Sequence, residues 1–351
     1  MKKLFFIAAI AGVALASCVK NEPAPSVTQQ DEITFLAPIV GPQTKVNGAI
    51  GATYNTQESF DVWCVHNVDD IQKWGGQVYF NDTKAEYDGQ KGWALNPKYY
   101  WPATGKLSFV AMSPSISNET TYDATNGFKI TAAWSQGSDE KNIVDLMYSD
   151  ESRNNAKAEF YADSEEKNGD DNSYKGVDIT FNHALSYIVF KIKTTADYSA
   201  TTTFKLNTIT LSNIYTTGTF TQKITSGDNW TVSGDAVGTY VAYNNADGLS
   251  FGSTAVEAPA ADTKEIILLP QTLTAEAQQL KVNYQISTDK GNTWIAQEQT
   301  VDVLNDSVTK WEMGKKYTYT LSIGMTEILL DPAVAEWTDG TSDGTSSDIL
   351  I

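Results

Sequence analysis

The stretch VDITFNHALSYIVFKI, residues 177–192, decides the fold because its apolar residues change phase partway along it. These residues take odd positions first and even positions afterwards, in the order Val177, Ile179, Phe181, Leu185, Ile188, Phe190 and Ile192. Successive side chains of a β-strand point to opposite faces of its sheet, so a change of phase requires a bulge or a bend. The stretch therefore predicts β-structure that is interrupted near Ser186.

Alternation with a period of two dominates the rest of the chain, and helical periodicity is nearly absent. Apolar and polar residues alternate along residues 280–286 and again along residues 317–323. Strands of this kind bury one face and expose the other. Short links rich in Gly, Asp and Asn, such as residues 226–229 and 289–292, have the composition of hairpin turns. The sequence predicts an all-β chain of the sandwich type.

The length of the chain predicts two domains, because roughly 320 residues exceed what a single hydrophobic core usually supports. Residues 138–176 are mostly acidic and polar, which places the predicted boundary between an N-terminal domain at 31–176 and a C-terminal domain at 177–351. Within that stretch DSEEKNGDDNSYKG has the acidity of a calcium loop. It lacks the ordered ligand positions of such a loop, so a solvated loop without metal is favoured.

The first residues have the three-part layout of a secretory signal. Lys2 and Lys3 precede an apolar run over residues 4–16, which is shorter than the roughly 20 residues that a membrane-spanning helix needs. The ending LASC resembles a bacterial lipoprotein box, which implies cleavage between Ser17 and Cys18 and acylation of Cys18. Residues 1–17 are then the signal peptide, and the polar, proline-bearing residues 18–30 form a flexible tether.

The composition argues against nucleic acid as a partner and offers no catalytic constellation. The formal charge of −18 becomes −20 once residues 1–17 and their two lysines are removed. No glycine-rich phosphate loop, metal-spaced His/Cys cluster or Gly-x-Ser-x-Gly elbow occurs in the sequence. His66 and His183 lie in strand-like runs and are interpreted as core or edge residues, and Cys64 as a buried thiol. We predict no enzyme, no cofactor and no metal.

Two of the nine tryptophans, Trp74 and Trp93, are candidate ligand-binding aromatics. Trp74 precedes two glycines and Trp93 follows one, which is typical of loops, and exposed aromatic rings hold sugars in many surface proteins. A packing role is the default for both. The alternative function is accordingly a glycan-binding outer-membrane lipoprotein.

Several segments, taken in order, resemble the fimbrillins of the Bacteroidales. They are ITFLAP at 33–38, GWALNPKYYWPATGKLSFVAMSP at 92–114, VDLMYS at 144–149, the stretch 177–192 and WEMGKKYTYTLSIGMTEILLDPAVAEWTDG at 311–340. The resemblance covers nearly the whole mature chain. It implies two transthyretin-like β-sandwich domains in tandem and the role of a structural or adhesive subunit of a type V pilus.

The resemblance also implies assembly by strand exchange, in which a protease removes the first strand and another subunit's C-terminal strand replaces it. The first strand-like run is residues 31–40, and Lys45 before Val46 occupies the family's cleavage position, where arginine is usual. Either a lysine-tolerant protease cuts there or the subunit stays unprocessed, as an anchor would. The donor would come from residues 328–337 or 348–351, with the apolar candidates Ile328, Leu330, Val334, Trp337, Ile349 and Ile351.

The same resemblance sets expectations for location, partners and modification. Residues 19–22 look like the signal that sends Bacteroidales lipoproteins to the outer face of the outer membrane. The expected partners are other fimbrial subunits, the outer membrane through the lipid, and a surface ligand of host or bacterium. Asp306-Ser307-Val308 resembles an acceptor for protein O-glycosylation in these bacteria, although a plain turn is the alternative.

Overall fold

The computed structural model describes residues 32–36, 38–40, 52–53, 59–68, 74–89, 92–135, 144–155, 176–223, 229–232, 237–258, 266–325 and 328–336. No helix occurs within these ranges, and strands dominate them, which confirms the all-β prediction.

The first twelve strands are β1 (Thr34–Phe35), β2 (Ile39–Val40), β3 (Ala52–Thr53), β4 (Phe60–Asn67), β5 (Gln77–Tyr87), β6 (Trp93–Asn96), β7 (Lys106–Ser113), β8 (Asn118–Asp123), β9 (Gly127–Ser135), β10 (Met147–Ser149), β11 (Ser152–Asn155) and β12 (Thr180–His183). The others are β13 (Ser186–Thr194), β14 (Thr203–Tyr215), β15 (Thr217–Lys223), β16 (Trp230–Val232), β17 (Val237–Phe251), β18 (Val256–Glu257), β19 (Ile266–Leu268), β20 (Gln271–Thr272), β21 (Gln279–Ser287), β22 (Ile295–Asp302), β23 (Lys310–Trp311), β24 (Lys315–Ile323) and β25 (Ile328–Glu336).

The first half of the chain forms a ten-stranded sheet in the order β1-β6-β5-β4-β7-β10-β12-β2-β3, with β11 beside β7. Its strands enclose the N-terminal core, which includes Phe35, Phe60, Phe109 and Phe181. β1 and β2 belong to one short segment yet stand near opposite ends of this order. The segment therefore joins the two ends of the sheet and closes it around the core.

The other face of β4 and β7 is covered by a four-stranded sheet in the order β16-β15-β9-β8. Trp63 and Val65 of β4 pack into the middle core beneath this sheet, whereas Val62 and Cys64 face the N-terminal core. Both faces of β4 are consequently buried, which explains its continuous apolar run.

The C-terminal half forms a sandwich around the C-terminal core. One layer has the order β18-β13-β24-β25 with β19 beside β13, and the other has the order β17-β14-β21-β22. The alternations predicted in residues 280–286 and 317–323 are confirmed, since Tyr284, Tyr319 and their same-parity neighbours are buried. A small sheet of β20 and β23 stands beside this sandwich.

The phase change within residues 177–192 is confirmed, and its cause is a transfer between sheets. The apolar side chains at 177, 179 and 181 enter the N-terminal core, Ala184 and Leu185 enter the middle core, and those at 188, 190 and 192 enter the C-terminal core. The break lies at residues 184 and 185, where the chain bends between β12 and β13. One short stretch thus connects all three cores.

Strands on the two sides of the domain boundary predicted at residue 176 pair with each other. β12 pairs with β10 and β2 of the first sheet, so residues up to His183 belong with the N-terminal strands. β15 pairs with β9 along seven residues, which places a hairpin from the second half against the first half. Local composition carries no information on such long-range pairing, and the two-domain division stays a prediction.

Candidate assembly site

Residues 32–40, here called the closing segment, lie between two flanking chains and hydrogen-bond to both. On one side β1 pairs with β6, and the amide of Ile33 donates to the carbonyl of Tyr99 at 2.8 Å. On the other side the amide of Val177 donates to the carbonyl of Thr34 at 2.8 Å, and β2 pairs in parallel with β12. The segment is therefore an interior strand, although it is the first strand of the described chain.

The side chains of the closing segment fill the N-terminal core. Ile33 and Phe35 have no exposed surface, and Val40 is 5% exposed. The Phe35 ring makes edge contacts with Phe60 at 5.8 Å and Phe109 at 5.6 Å between centroids. Burying three such side chains contributes about 4–9 kcal/mol in gross terms. Removal of the segment would leave a slot with apolar walls and two unpaired strand edges.

Two glycines let the flanking chains approach the closing segment closely. A Cβ on Gly92 would overlap the carbonyl oxygen of Phe35, and one on Gly176 would lie 3.0 Å from the amide nitrogen of Leu36. Both have positive φ, +114° and +84° respectively, which favours glycine independently of space. The chains on both sides of the slot can therefore lie close to the backbone of the strand inside it. Sequence reasoning missed this role, although Gly176 directly precedes the stretch that decided the fold.

One ion pair holds the start of the closing segment. The Glu32 carboxylate is nearly buried and lies 2.9 Å from Nζ of the exposed Lys98. Hydrogen bonding to Glu32 raises the pKa of Lys98. The pair therefore ties the segment to the chain that follows β6.

β25, which contains the donor candidates Ile328, Leu330 and Val334, is an edge strand. It pairs only with β24 among the described strands, from Lys315 opposite Glu336 to Ile323 opposite Ile328. Ile328 is 8% exposed, Leu330 and Val334 are half-buried against the C-terminal core, and Leu329 is 55% exposed. Far less of β25 is buried than of the closing segment.

The middle and the end of β25 show how it is held. Pro332 stands opposite Tyr319 and has no amide hydrogen to donate, as is typical of edge strands. At the end of the ladder Lys315 and Glu336 form an ion pair that is largely exposed. Exposed pairs contribute roughly 0–1 kcal/mol. β25 is accordingly attached by its ladder and by a few partly buried apolar contacts.

Trp74 and Trp93 have the packing role that was the default interpretation, and the alternative of exposed, ligand-binding aromatics is wrong. Trp93 is 1% exposed and packs on Phe60, and Trp74 is 5% exposed and packs on Phe128. Neither ring can form a platform for sugars. The neighbouring glycines had suggested loops, but Gly76 and Gly92 are needed because a Cβ would overlap the backbone carbonyls of His66 and Phe35.

The other polar candidates have structural partners. Nδ1 of His183 lies 2.6 Å from a carboxylate oxygen of Asp145, and Nε2 of His66 lies 2.7 Å from the carbonyl oxygen of Thr104. Cys64 is buried, and burial raises the pKa of its thiol. Within the ranges that the structure describes, no group of His, Cys, Asp and Glu is arranged to hold a metal ion. The same ranges contain no helix long and apolar enough to cross a membrane.

Ser307 is exposed in the turn between Asn305 and Val308. The side-chain oxygen of Asn305 accepts a hydrogen bond from the Ser307 amide at 2.8 Å. Its glycosylation stays a prediction. Ser17, Cys18, Lys45, Val46, Trp337, Ile349 and Ile351 lie outside the described residues.

Comparisons with known proteins agree with this architecture. A family model described as fimbrillin-like matches residues 44–337. The fold is similar to that of a fimbrial protein from Bacteroides vulgatus, with a TM-score of 0.59, 16% identity, and coverage of 88% of this chain and 100% of that chain. A weaker likeness, with a TM-score of 0.35, 6% identity and coverage of 80% and 94%, is to the tip fimbrial protein Mfa3 from Porphyromonas gingivalis with C-terminal truncation.

Curated protein sequences give no significant match. The family match begins after the closing segment and extends over most of the chain, from β3 to β25. The chain belongs to the fimbrillin-like family, and its role is that of a structural subunit of a cell-surface fimbria.

Proposed function

We propose that this fimbrial subunit is exported as a lipoprotein on Cys18 and joins its neighbours by strand exchange. Cleavage between Lys45 and Val46 would release the closing segment, and the C-terminal strand of another subunit would enter the vacated slot. The observation that carries the proposal is the position of residues 32–40. They are the first strand of the described chain, yet they close the sheet and fill its core.

The apolar spacing of β25 suits the slot. Ile33 and Phe35 are two residues apart and both enter the core. Ile328 and Leu330 are also two residues apart and lie on one face of their strand. Backbone groups of a new strand would satisfy both exposed edges, as in other cases of β-strand addition. Withdrawal of β25 from its own sandwich would remove one buried side chain, Ile328, and the half-buried Leu330 and Val334 from the core.

Residues 348–351 are the second possible donor, and the two donors require different changes in the subunit that supplies them. If β25 is the donor, its pairing with β24 must break. If residues 348–351 are the donor, β25 can stay in place, since the eleven linking residues 337–347 can span up to about 40 Å. Two truncated chains, one lacking 328–351 and one lacking 337–351, separate these cases.

A reconstitution experiment tests strand exchange. Purified chain lacking the lipid is treated with a lysine-specific protease, cleavage after Lys45 is verified by mass spectrometry, and products are run in mild detergent without heating. Ladders of multimers are expected from the wild type and not from the chain that lacks 328–351. Lys45→Ala should stay monomeric under the same treatment. Cleaved protein that stays monomeric at high concentration would overturn the proposal.

A further inference from the structure

A cavity of about 500 Å³ opens at one end of the C-terminal sandwich. β13 and β24 run in parallel and finish at this end, at Thr194 and Ile323, and β14 begins there. Since β13 starts at Ser186, next to the first sheet, the cavity lies at the end of the sandwich remote from that sheet. Its volume is within the roughly 300–1,000 Å³ that is typical of ligand pockets.

The floor of the cavity consists of two nearly buried phenylalanines and one half-buried tyrosine. Phe204 and Phe251 are 2% and 9% exposed and lie 5.6 Å apart between ring centroids. Tyr198 is half-buried and lies 5.6 Å from Phe204, and its hydroxyl lies 3.1 Å from the Thr195 hydroxyl. Tyr198 is the one partly exposed ring of the three, and an exposed aromatic face can stack on the apolar face of a pyranose ring.

The rim of the cavity is rich in hydroxyl groups, each of which can donate and accept a hydrogen bond. They belong to Ser199, Thr203, Ser250, Ser253 and Thr254, all of which are exposed at the surface. Because the two rim segments are separated by some fifty residues in sequence, only the fold brings them together. Polar groups that surround an apolar floor suit a ligand with many hydroxyl groups and one apolar face.

The charge of the cavity selects against acidic ligands. Among the described residues that line it, Asp197 is the only charged one. Hydrogen bonds from Ser199 lower the pKa of Asp197, so its carboxylate stays ionised at neutral pH and can accept from a ligand hydroxyl. The whole chain has a net charge of −18, which adds to the repulsion of anions.

We propose that this cavity binds a neutral saccharide through one pyranose ring stacked on Tyr198 and held by the hydroxyl groups of the rim. Its lining includes no residue of the closing segment or of β25, so the proposal does not depend on strand exchange. Sialylated or sulfated sugars are excluded by the missing cation and by Asp197. The fimbrial subunit would thus contain an adhesive site on the sandwich that also supplies the donor strand.

Gly252 allows the cavity to be filled without disturbing the fold. It lines the cavity, a Cβ built on it meets no atom within 4 Å, and its φ is not positive. Its carbonyl accepts a hydrogen bond from the Thr194 amide at 2.8 Å, which any side chain at residue 252 preserves. Gly252→Trp should occupy the cavity, and Gly252→Ser is the matched control that leaves it open.

The test uses the full chain and saturation-transfer NMR with millimolar methyl glycosides of glucose, galactose, mannose, N-acetylglucosamine and fucose, together with sialyllactose. We expect signal transfer to at least one neutral glycoside and none to sialyllactose. Gly252→Trp should weaken that binding by about tenfold or more, and Gly252→Ser should change it by no more than about twofold. Thermal unfolding and ladder formation of both variants should match the wild type.

Four results would overturn the proposal. They are no transfer to any neutral glycoside, transfer to sialyllactose alone, unchanged binding in Gly252→Trp, and equal loss of binding in both variants. Loss of ladder formation in Gly252→Trp would identify the cavity as a contact between subunits and would count against a saccharide site. If the wild type binds a sugar but forms no ladders, strand exchange is refuted and the saccharide site is not.

Discussion

The α-carbon of Gly92 packs against the carbonyl oxygen of Phe35 so closely that a Cβ at residue 92 would overlap that oxygen. The contact joins the start of β6 to the closing segment. A substitution at residue 92 should therefore destabilise the chain when the closing segment occupies the slot.

Gly92→Ala should destabilise the uncleaved chain by roughly 2–5 kcal/mol, through positive φ and through overlap with Phe35. Gly89→Ala is the control, because Gly89 also has positive φ, +82°, yet a Cβ there meets nothing within 4 Å. Urea denaturation measures both. Equal losses in the two variants would mean that the overlap with Phe35 has no energetic consequence.

Phe35→Ala and Leu330→Ala should have opposite effects before and after assembly. In the uncleaved monomer Phe35→Ala removes a side chain with no exposed surface and should cost about 3–5 kcal/mol, whereas Leu330→Ala on a half-buried edge position should cost about 1 kcal/mol. After cleavage Phe35 is gone, and with β25 as the donor Leu330 would fill the core. Leu330→Ala should then lower the temperature at which ladders dissociate, and Leu329→Ala should not; a larger effect of Leu329→Ala would contradict the account.

Asp289 and Asp61 should give the stability opposite dependences on pH. Hydrogen bonds from the Thr293 side chain, the Thr293 amide and Ser287 lower the pKa of Asp289 to about 2, so its contribution is present above about pH 4 and is lost as the pH falls toward 2. Burial raises the pKa of Asp61, so its ionisation disfavours the native state as the pH rises through that pKa. Relative to Asp289→Asn the wild type should lose stability on acidification, and relative to Asp61→Asn it should gain.

Denaturant midpoints measured between about pH 5 and pH 2 on the three proteins check these signs. If the difference in midpoint between wild type and variant changed with pH in the same direction for both variants, the two carboxylates would not have opposite effects on stability.

Cys18→Ala should abolish attachment of lipid. Wild-type protein expressed in a bacterium of the same group should incorporate labelled fatty acid and fractionate with membranes, because acyl chains contribute about 0.8 kcal/mol per buried CH₂. The variant should be unlabelled and appear in the soluble periplasmic fraction. A wild type that incorporates no label, or a variant that still fractionates with membranes, would refute lipidation at this residue.

Sequence alone predicted the features that depend on residues close together in the sequence. The alternation along residues 280–286 and 317–323 and the interruption near Ser186 follow from a period of two, which is a local property. The pairing of β15 with β9 was not predictable, because nothing near residues 217–223 specifies a partner some ninety residues earlier.

The alternative of exposed rings at Trp74 and Trp93 failed for a similar physical reason. A glycine beside an aromatic residue signals either an open loop or a close approach of two backbones, and only the fold distinguishes them. At Gly76 and Gly92 the second reason applies. The cavity beside Gly252 also escaped the sequence reasoning, since its two rims are assembled from distant segments.

The central claim is that the slot vacated by residues 32–40 receives β25 of another subunit. Photo-cross-linking tests it directly, with benzoylphenylalanine in place of Leu330 and a mixture of light and isotopically labelled subunits assembled after cleavage at Lys45. Mass spectrometry should find links between subunits from residue 330 to the side chains that surround Phe35, namely Phe60, Phe109 and Val177. Links confined to Leu321 of the same subunit, or links between subunits at surfaces outside the slot, would contradict the account.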